Sequence, residues 1–424
     1  MPRAPDTDLL IWLTEEGLAG RVGHPLLEGF CQRARAAGVP LMRAILFIDT
    51  LHPLIEGSGV RWTRDPSDDS RTFDYGASDS GEALASWQRS PFHQLELSGE
   101  TTLRLPLGGP QPSRFPMVAR FEAEGATEYV AFLHRAMPDG LAGLDCIYSH
   151  WVTDAPGGFS AAALDFLAAT VPTLALVQRG AAIAEIPRTL AHTYLGRDAG
   201  ERVLAGRIAR GVADRISTAL WFSDLRSFTT ITDRADPADT IPFLNDYAEA
   251  AIGAVQAAGG DVLKLIGDGL LAIFRADDDV ATAARAALSA ERDFRTRLAQ
   301  LNAERTTRGA ATTTAYVGLH VGEVFFGNIG APDRLDFTVV GPAVNEVSRI
   351  ASLCRSVDRD LLISEALADC LAPEVRTALV STGRFALRGV RRAQDLFTLD
   401  PEIAGDPARA ALFATALVAD PADS

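Results

Sequence analysis

Apolar residues recur at helical spacing over Leu9–Leu18 and Pro25–Ala37, and Gly38 stops the second run. Short β-like runs follow at Leu41–Asp49, Trp62–Arg64, Met117–Phe121, Tyr129–His134 and Leu144–Trp151, punctuated by Gly, Pro, Asp and Ser. That punctuation predicts an antiparallel sheet. A longer helix is expected over about Ser160–Ile183, entered through Pro156-Gly157-Gly158. From Arg188 to Gly211 apolar and charged residues alternate, which predicts a helical linker with Asp198 as its N-cap. The second half has the clearer pattern. Ile216–Phe222 reads as a strand, and Asp236-Pro237 opens a helix to about Val255 with Phe243, Leu244, Tyr247, Ala251, Ile252 and Val255 on one face. Val262–Ile266 and Leu270–Phe274 are joined by Gly267-Asp268-Gly269, a hairpin signature. A helix over Val280–Leu301, strands at Ala315–Gly322, Glu323–Ile329 and Phe337–Val340, and a helix over Pro342–Leu353 complete the pattern.

The order β-α-β-β-α-β in this half is that of a ferredoxin-like core, enlarged at its C-terminal end. The fold class is therefore α+β. The expected domains are an α/β sensor-like regulatory domain over 1–187, a helical linker over 188–212, a catalytic domain over 213–400 and a C-terminal tail over 401–424. Helices at both ends of a meandering sheet make the first domain resemble PAS or GAF sensors in order of elements.

The chain has 424 residues, enough for two or three domains, and 47% hydrophobic against 22% charged residues gives it real cores. With 40 Lys+Arg against 55 Asp+Glu the net charge is -15, which speaks against a nucleic-acid or anionic-membrane binder. Cys31, Cys146, Cys354 and Cys370 are scattered and form no C-x-x-C pair, so neither a disulfide framework nor a zinc knuckle is expected. Met1-Pro2-Arg3-Ala4-Pro5-Asp6 is followed by no apolar signal core, and the most lipid-like run, Phe166–Val177, contains Pro172 and falls short of the roughly 20 residues a span needs. The expectation is a soluble, cytoplasmic protein. His52, His93, His134 and His150 do not sit at metal-ligand spacing, and surface or core histidines are the plainer reading.

No P-loop, dinucleotide fingerprint, nucleophile elbow or H-E-x-x-H motif occurs. What remains is isolated polar residues at strand ends. Asp224 ends the strand ALWFSD, and Asp268 sits in the tight Gly-Asp-Gly turn. Two carboxylates on adjacent strand ends are how a protein holds hard cations for phosphoryl chemistry, although each alone could be a turn or strand-end residue.

The stretches WFSDLRSFT, GGDVLKLIGDGLLAIF, GLHVGEVFFGNIG and DFTVVGPAVNEVSRI resemble, in order, the motifs of the class III nucleotidyl cyclase catalytic domain, over about Ala213 to Leu399. The resemblance implies a ferredoxin-like domain that works as a homodimer, with active sites between two catalytic domains. It assigns Asp224, Asp268 and the carbonyl of Leu225 to two magnesium ions per site, with manganese able to substitute. It turns the amides after Asp224, through Phe228 and Thr229, toward the triphosphate. Lys264 and Thr338 would read the purine base, Asn345 would orient the ribose, and Arg349 would stabilise the transition state. The spacing of four puts Asn345 and Arg349 on one helix face.

Hydrogen-bond polarity then favours adenine. Lys264 can only donate, which suits adenine N1, and the Thr338 hydroxyl can accept from N6. Guanine presents the opposite pattern and would leave buried groups unpaired, at about 1–3 kcal/mol each. Threonine at the second position resembles the subgroup that includes bicarbonate-responsive cyclases. Two positions depart from the family. Ser227 stands where a glycine or asparagine is usual, and Arg388, in FALRGVRRAQDLFTL, stands in for a phosphate-binding lysine. His320, inside a strand motif, reads as structural.

The resulting expectation is an adenylate cyclase that converts ATP to 3′,5′-cyclic AMP and pyrophosphate by a two-metal mechanism at a homodimer interface. A small-molecule or protein signal at the N-terminal domain would regulate it, and neither nucleic acid nor membrane is an expected partner. The alternatives are a non-catalytic nucleotide-binding module and a guanylate cyclase.

Overall fold

A computed structural model of the chain describes residues 5–65, 71–135, 146–276, 279–390, 392–401, 403 and 417. The chain forms two compact units, Met1–Leu190 and Ala191–Ser424.

The first unit opens with helices α1 (Pro5–Leu18) and α2 (His24–Ala36). Strands β1 (Arg43–Asp49), β2 (Gly57–Thr63) and β3 (Thr72–Tyr75) follow, then α3 (Gly81–Gln88), α4 (Pro91–Ser98) and β4 (Thr102–Pro106). α5 (Pro116–Ala123), β5 (Glu128–Arg135), β6 (Cys146–Thr153) and α6 (Ala161–Leu195) complete it. The six strands pair antiparallel in the order β3-β2-β1-β6-β5-β4. Alternation along β1 divides the core. Ala44 and Leu46 pack with α1, α2 and α6 through Leu13, Leu27, Phe30, Leu167 and Val171. Phe47 lies with the opposite cluster, where Phe92, Leu95, Val118 and Phe121 come from α4 and α5. β6 is covered on both faces, and every residue in it is buried.

Four expectations are corrected here. Met117–Phe121 is not a strand but the body of α5, because Pro116 sits at its first turn, where a proline without an N–H starts a helix. The helix expected to end near Ile183 runs on to Leu195, so Arg188–Leu195 is its last part, and Pro172 and Pro187 lie inside it. It is therefore also long and apolar enough, by length and composition, to cross a membrane, contrary to the reading of Phe166–Val177. Ala163, Leu167, Val171, Leu174 and Ala175 along it are buried in the unit. Asp198 is not an N-cap. Gly196 holds that position, and Asp198 lies in the first turn of α7 (Arg197–Leu204), where it accepts from Arg202 and Arg275.

The second unit continues with β7 (Ala213–Leu225), α8 (Phe228–Thr232), α9 (Pro237–Ala257), β8 (Asp261–Ile266), β9 (Gly269–Arg275) and α10 (Val280–Thr307). Next come β10 (Ala315–Ala331), β11 (Arg334–Val340), α11 (Pro342–Val357) and β12 (Leu361–Ser364). α12 (Glu365–Ala368), α13 (Pro373–Arg376), β13 (Leu379–Phe385) and β14 (Gln394–Leu399) end it. The sheet order β13-β14-β12-β10-β7-β9-β8 contains the ferredoxin-like core as β10-β7-β9-β8, all antiparallel. β12 adds to β10 in parallel, and β11 folds back on the far half of β10. The two strands expected at Ala315–Gly322 and Glu323–Ile329 are one, because β10 pairs with β7 without a break from Ala315 to Gly327. Asp236 caps α9 by accepting from the Ala238 amide at 2.9 Å, and Asp279 caps α10 through Ala281 and Thr282. Trp221, Phe243, Tyr247 and Phe294 fill the face under α9 and α10. Leu220, Leu271, Val324, Phe337 and Val347 fill the face under α11. Of the 401–424 tail, only residues 401, 403 and 417 are described, and Ile403 and Leu417 are buried.

Candidate functional site

β7 runs out at Asp224 and Leu225, beside the turn that joins β8 to β9. Ser223 pairs with Leu270, and Ile266 with Gly269, so the register sets Asp224 next to Asp268. Gly267 takes φ 65, the left-handed conformation that the turn requires and that glycine adopts without cost. The Asp224 carboxyl is pushed up to about 6. Burial is the largest cause, followed by the charge of Asp268 and a hydrogen bond with it; Arg355 and the Leu225 amide pull the other way. Two half-buried carboxylates in one pocket resist carrying two full charges. Hard oxygens placed together suit a divalent cation such as magnesium, with the buried Leu225 backbone adjacent to supply a carbonyl. Among the described residues no group of three or more His, Cys, Asp or Glu is set to hold a metal, so the pair would draw further oxygens from backbone and substrate. Behind the pair, the Tyr247 and Ser223 hydroxyls lie 2.8 Å apart in the core, and burial pushes the Tyr247 phenol up.

Immediately after Leu225 the chain turns sharply. Ser227 has φ 60 and ψ 25 and occupies the N-cap position of α8. This left-handed geometry is the physical reason for glycine or asparagine at such a position, since any other side chain is strained there. The turn leaves the first amides of α8, including Phe228 and Thr229, without intrahelical acceptors. Phe228 stacks on Phe243 at 6.4 Å, which anchors the short helix to α9.

A second group lies on β8 and β11. The Lys264 ammonium donates to Asp336 at 2.5 Å. Thr338, two residues further along the same strand, is 6% exposed, and its hydroxyl has no partner among the described residues. A buried hydroxyl without a partner is costly, and a ligand that supplied one would gain by it. Asn345 and Arg349 are one turn apart on α11, both exposed, and their side chains have no partner among the described residues. No hydrogen bond or ion pair among the described residues joins the carboxylate pair to Lys264, Thr338, Asn345 or Arg349. Arg388 is exposed on the segment between β13 and β14 and is held by none of these residues.

His320 is buried, with Nδ1 2.9 Å from the Ser364 hydroxyl and Nε2 3.7 Å from Glu346. Burial lowers its pKa, and Glu346 opposes that. The sequence pattern did not single out Asp336 or Arg355, and it placed Tyr247 only on the apolar face of its helix. Only Asp336 left a signal, because a strand places it on the same face as Thr338.

A ferredoxin-like sheet with a carboxylate pair at adjacent strand ends defines a domain with oxygens placed to suit hard cations. Residues 213–401 match the adenylate and guanylate cyclase catalytic domain family, and this part of the chain is a catalytic domain of that family. The adenylate cyclase of Anabaena cylindrica is 32% identical over 161 residues, which are 37% of this chain and 31% of that protein. The terminal-differentiation-specific adenylate cyclase of Dictyostelium discoideum is 31% identical over 159 residues, 38% of this chain and 7% of that protein. The chain thus spans about a third or less of the length of these curated relatives. Among solved structures, the guanylyl cyclase Cya2 is 25% identical with a TM-score of 0.39, covering 44% of this chain and 93% of that one.

Proposed function

We propose that the protein is an adenylate cyclase that forms 3′,5′-cyclic AMP and pyrophosphate from ATP. The observation that carries the reading is the juxtaposition of Asp224 and Asp268 at neighbouring strand ends, within a catalytic domain of the cyclase family. These two carboxylates and the Leu225 carbonyl would hold magnesium, or manganese in its place. Bound there, the ions would lower the pKa of the ribose 3′-hydroxyl and balance the charge of the triphosphate.

The chain's own groups do the rest. The amides at the start of α8, through Phe228 and Thr229, donate hydrogen bonds to the phosphate oxygens. Asn345 orients the ribose so that O3′ lies in line with the α-phosphorus. The O3′–Pα bond forms as the bond from Pα to the bridging oxygen breaks, the hydroxyl loses its proton and pyrophosphate leaves. Arg349 stabilises the charge on the phosphorus oxygens as this happens. Arg388 is assigned to the leaving phosphates.

Base choice rests on Lys264 and Thr338. The ammonium donates to adenine N1, and the unpartnered Thr338 hydroxyl accepts from N6. The reading places Thr338 in the threonine-type subgroup.

The working unit is a homodimer in which each site takes Asp224 and Asp268 from one chain and the remaining groups from the other. Exposed Leu265, Ile266, Phe325, Ile329 and Val340, on β8, β10 and β11, support this, since apolar side chains gathered on one unit favour a covering partner. The N-terminal unit, an antiparallel sheet with helices on both faces, is read as a PAS/GAF-like sensor that regulates the cyclase.

The test is cyclic nucleotide formation by the purified protein, offered ATP or GTP with magnesium or manganese. Cyclic AMP formation that exceeds cyclic GMP formation supports the reading, and a preference for GTP overturns the base assignment.

A further inference from the structure

On the α3–α4 side of the N-terminal sheet lies a cavity of about 490 Å³, the size of a small-molecule site. Its walls are aromatic. Phe47 meets Tyr75 at 5.9 Å and Phe92 at 5.5 Å, and Tyr148 meets Phe92 at 5.2 Å and Trp87 at 5.3 Å. Tyr75 crosses β2 at Gly57, where a Cβ would come within 2.3 Å of the phenol oxygen, so the glycine makes the room that the ring occupies.

Three carboxylates complete the lining: Asp49, Glu56 and Glu96. Each is oriented by a neutral donor. The Tyr75 hydroxyl donates to Asp49 at 2.5 Å, the Tyr148 hydroxyl donates to Glu96, and Ser78 donates to Glu56 from its amide and its hydroxyl. Burial and the adjacent carboxylates push both phenols up, so they remain donors. Neutral donors fix a carboxylate in place without cancelling its charge. Among the described residues no Lys, Arg or His lines the cavity, and Glu56 and Glu96 have no ion pair.

Three arginines and an uncharged histidine of the unit gather elsewhere on the same face. Arg43, Arg61, Arg120 and His150 line a separate cavity of about 280 Å³ that shares Phe47 and Met117 with the first, but no charged residue. Glu56 and Glu96 thus face a pocket walled by π-faces with no cation beside them among the described residues, and an organic cation supplies one while burying its hydrocarbon on the rings. We propose that this cavity binds a small aryl- or alkylammonium ion, with the ammonium at Glu56 and Glu96 and the hydrocarbon against Phe47, Trp87 and Phe92.

The occupancy claim is independent of the cyclase assignment. Only coupling to the catalytic unit rests on the sensor reading. Calorimetry on the full chain, with 2-phenylethylammonium, neutral 2-phenylethanol and anionic 3-phenylpropionate, tests binding by itself. Saturable binding of the amine is expected, at least about tenfold weaker binding of the alcohol, and none of the carboxylate. Glu96→Gln keeps an acceptor for Tyr148 and should weaken the amine by at least about tenfold while leaving the alcohol unchanged. Three results overturn the proposal: equal affinity for amine and alcohol; no saturable binding of phenylethyl-, butyl- or benzyltrimethylammonium at millimolar concentration; or calcium binding where no ammonium binds. The same additions to a cyclic nucleotide assay measure coupling. Binding without any change of rate would reject the sensor reading and leave the site standing.

Discussion

Lys264 on β8 donates to Asp336 on β11, two residues before Thr338, so the group assigned to the purine already has a partner when no nucleotide is bound. The pair is partly exposed, with side-chain exposures of 31% and 52%, and a contact of this kind is worth no more than about 1 kcal/mol. A base entering the site must compete for the ammonium. Asp336→Asn should therefore lower the KM for ATP, by up to about fivefold, with kcat little changed. Steady-state kinetics on the purified variant check this, and a raised KM would mean that Asp336 positions Lys264 for the base.

Exchanging donor and acceptor should shift base preference. In Lys264→Glu combined with Thr338→Cys, ATP use should fall and the GTP/ATP ratio of kcat/KM should rise by about tenfold or more, because one to two hydrogen bonds change partner. An unchanged ratio in an active double variant would show that these residues do not read the base.

Ser227 carries a backbone conformation that costs roughly 1 kcal/mol outside glycine. Ser227→Gly should raise the stability of the catalytic unit by up to about that amount in a denaturant titration, the gain being partly offset by glycine's greater freedom in the unfolded chain. A loss of stability would place the Ser227 side chain in a contact that matters more than the strain.

His150 is buried among Phe92, Phe121 and Tyr129, and neither ring nitrogen has a partner among the described residues. Burial first, then Arg43 and Arg61, lower its pKa to about 3. The folded value lies below the unfolded one near 6.5, so between these the unfolded chain binds a proton that the folded chain excludes. Stability is then fully present above about pH 6.5 and falls as the pH drops, by about 2 kcal/mol at pH 5 from this residue. Denaturant midpoints at pH 7 and pH 5 should differ less for His150→Leu than for the unchanged protein. Equal differences would mean that His150 takes up its proton in the folded state.

The catalytic core could be read because its signals are local. Asp236-Pro237 caps α9, Gly267-Asp268-Gly269 makes the hairpin, and the apolar run before Asp224 is long enough to fix a strand. The first unit was harder. Met117–Phe121 is a short, mostly apolar run that passes for a strand, and only Pro116 reveals the helix. α4 left signals that passed unused, in the Ser90 cap, Pro91 and left-handed Gly99. Asp336 with Lys264, Tyr247 with Ser223, and the carboxylates of the aromatic cavity depend on strands and helices meeting across long stretches of chain, which no local pattern records.

The proposed two-chain site admits a direct measurement. Asp224→Ala and Arg349→Ala should each be nearly inactive, since one lacks a carboxylate of the pair and the other the cation assigned to the transition state. Mixed in equal amounts with free exchange, roughly half the dimers would be mixed, each with one intact site of two, so about a quarter of the unmutated cyclic AMP formation should return. Size-exclusion chromatography confirms that both variants dimerise. Recovery near that level is the predicted result. Dimers that form and exchange yet produce no cyclic AMP at any mixing ratio would contradict it.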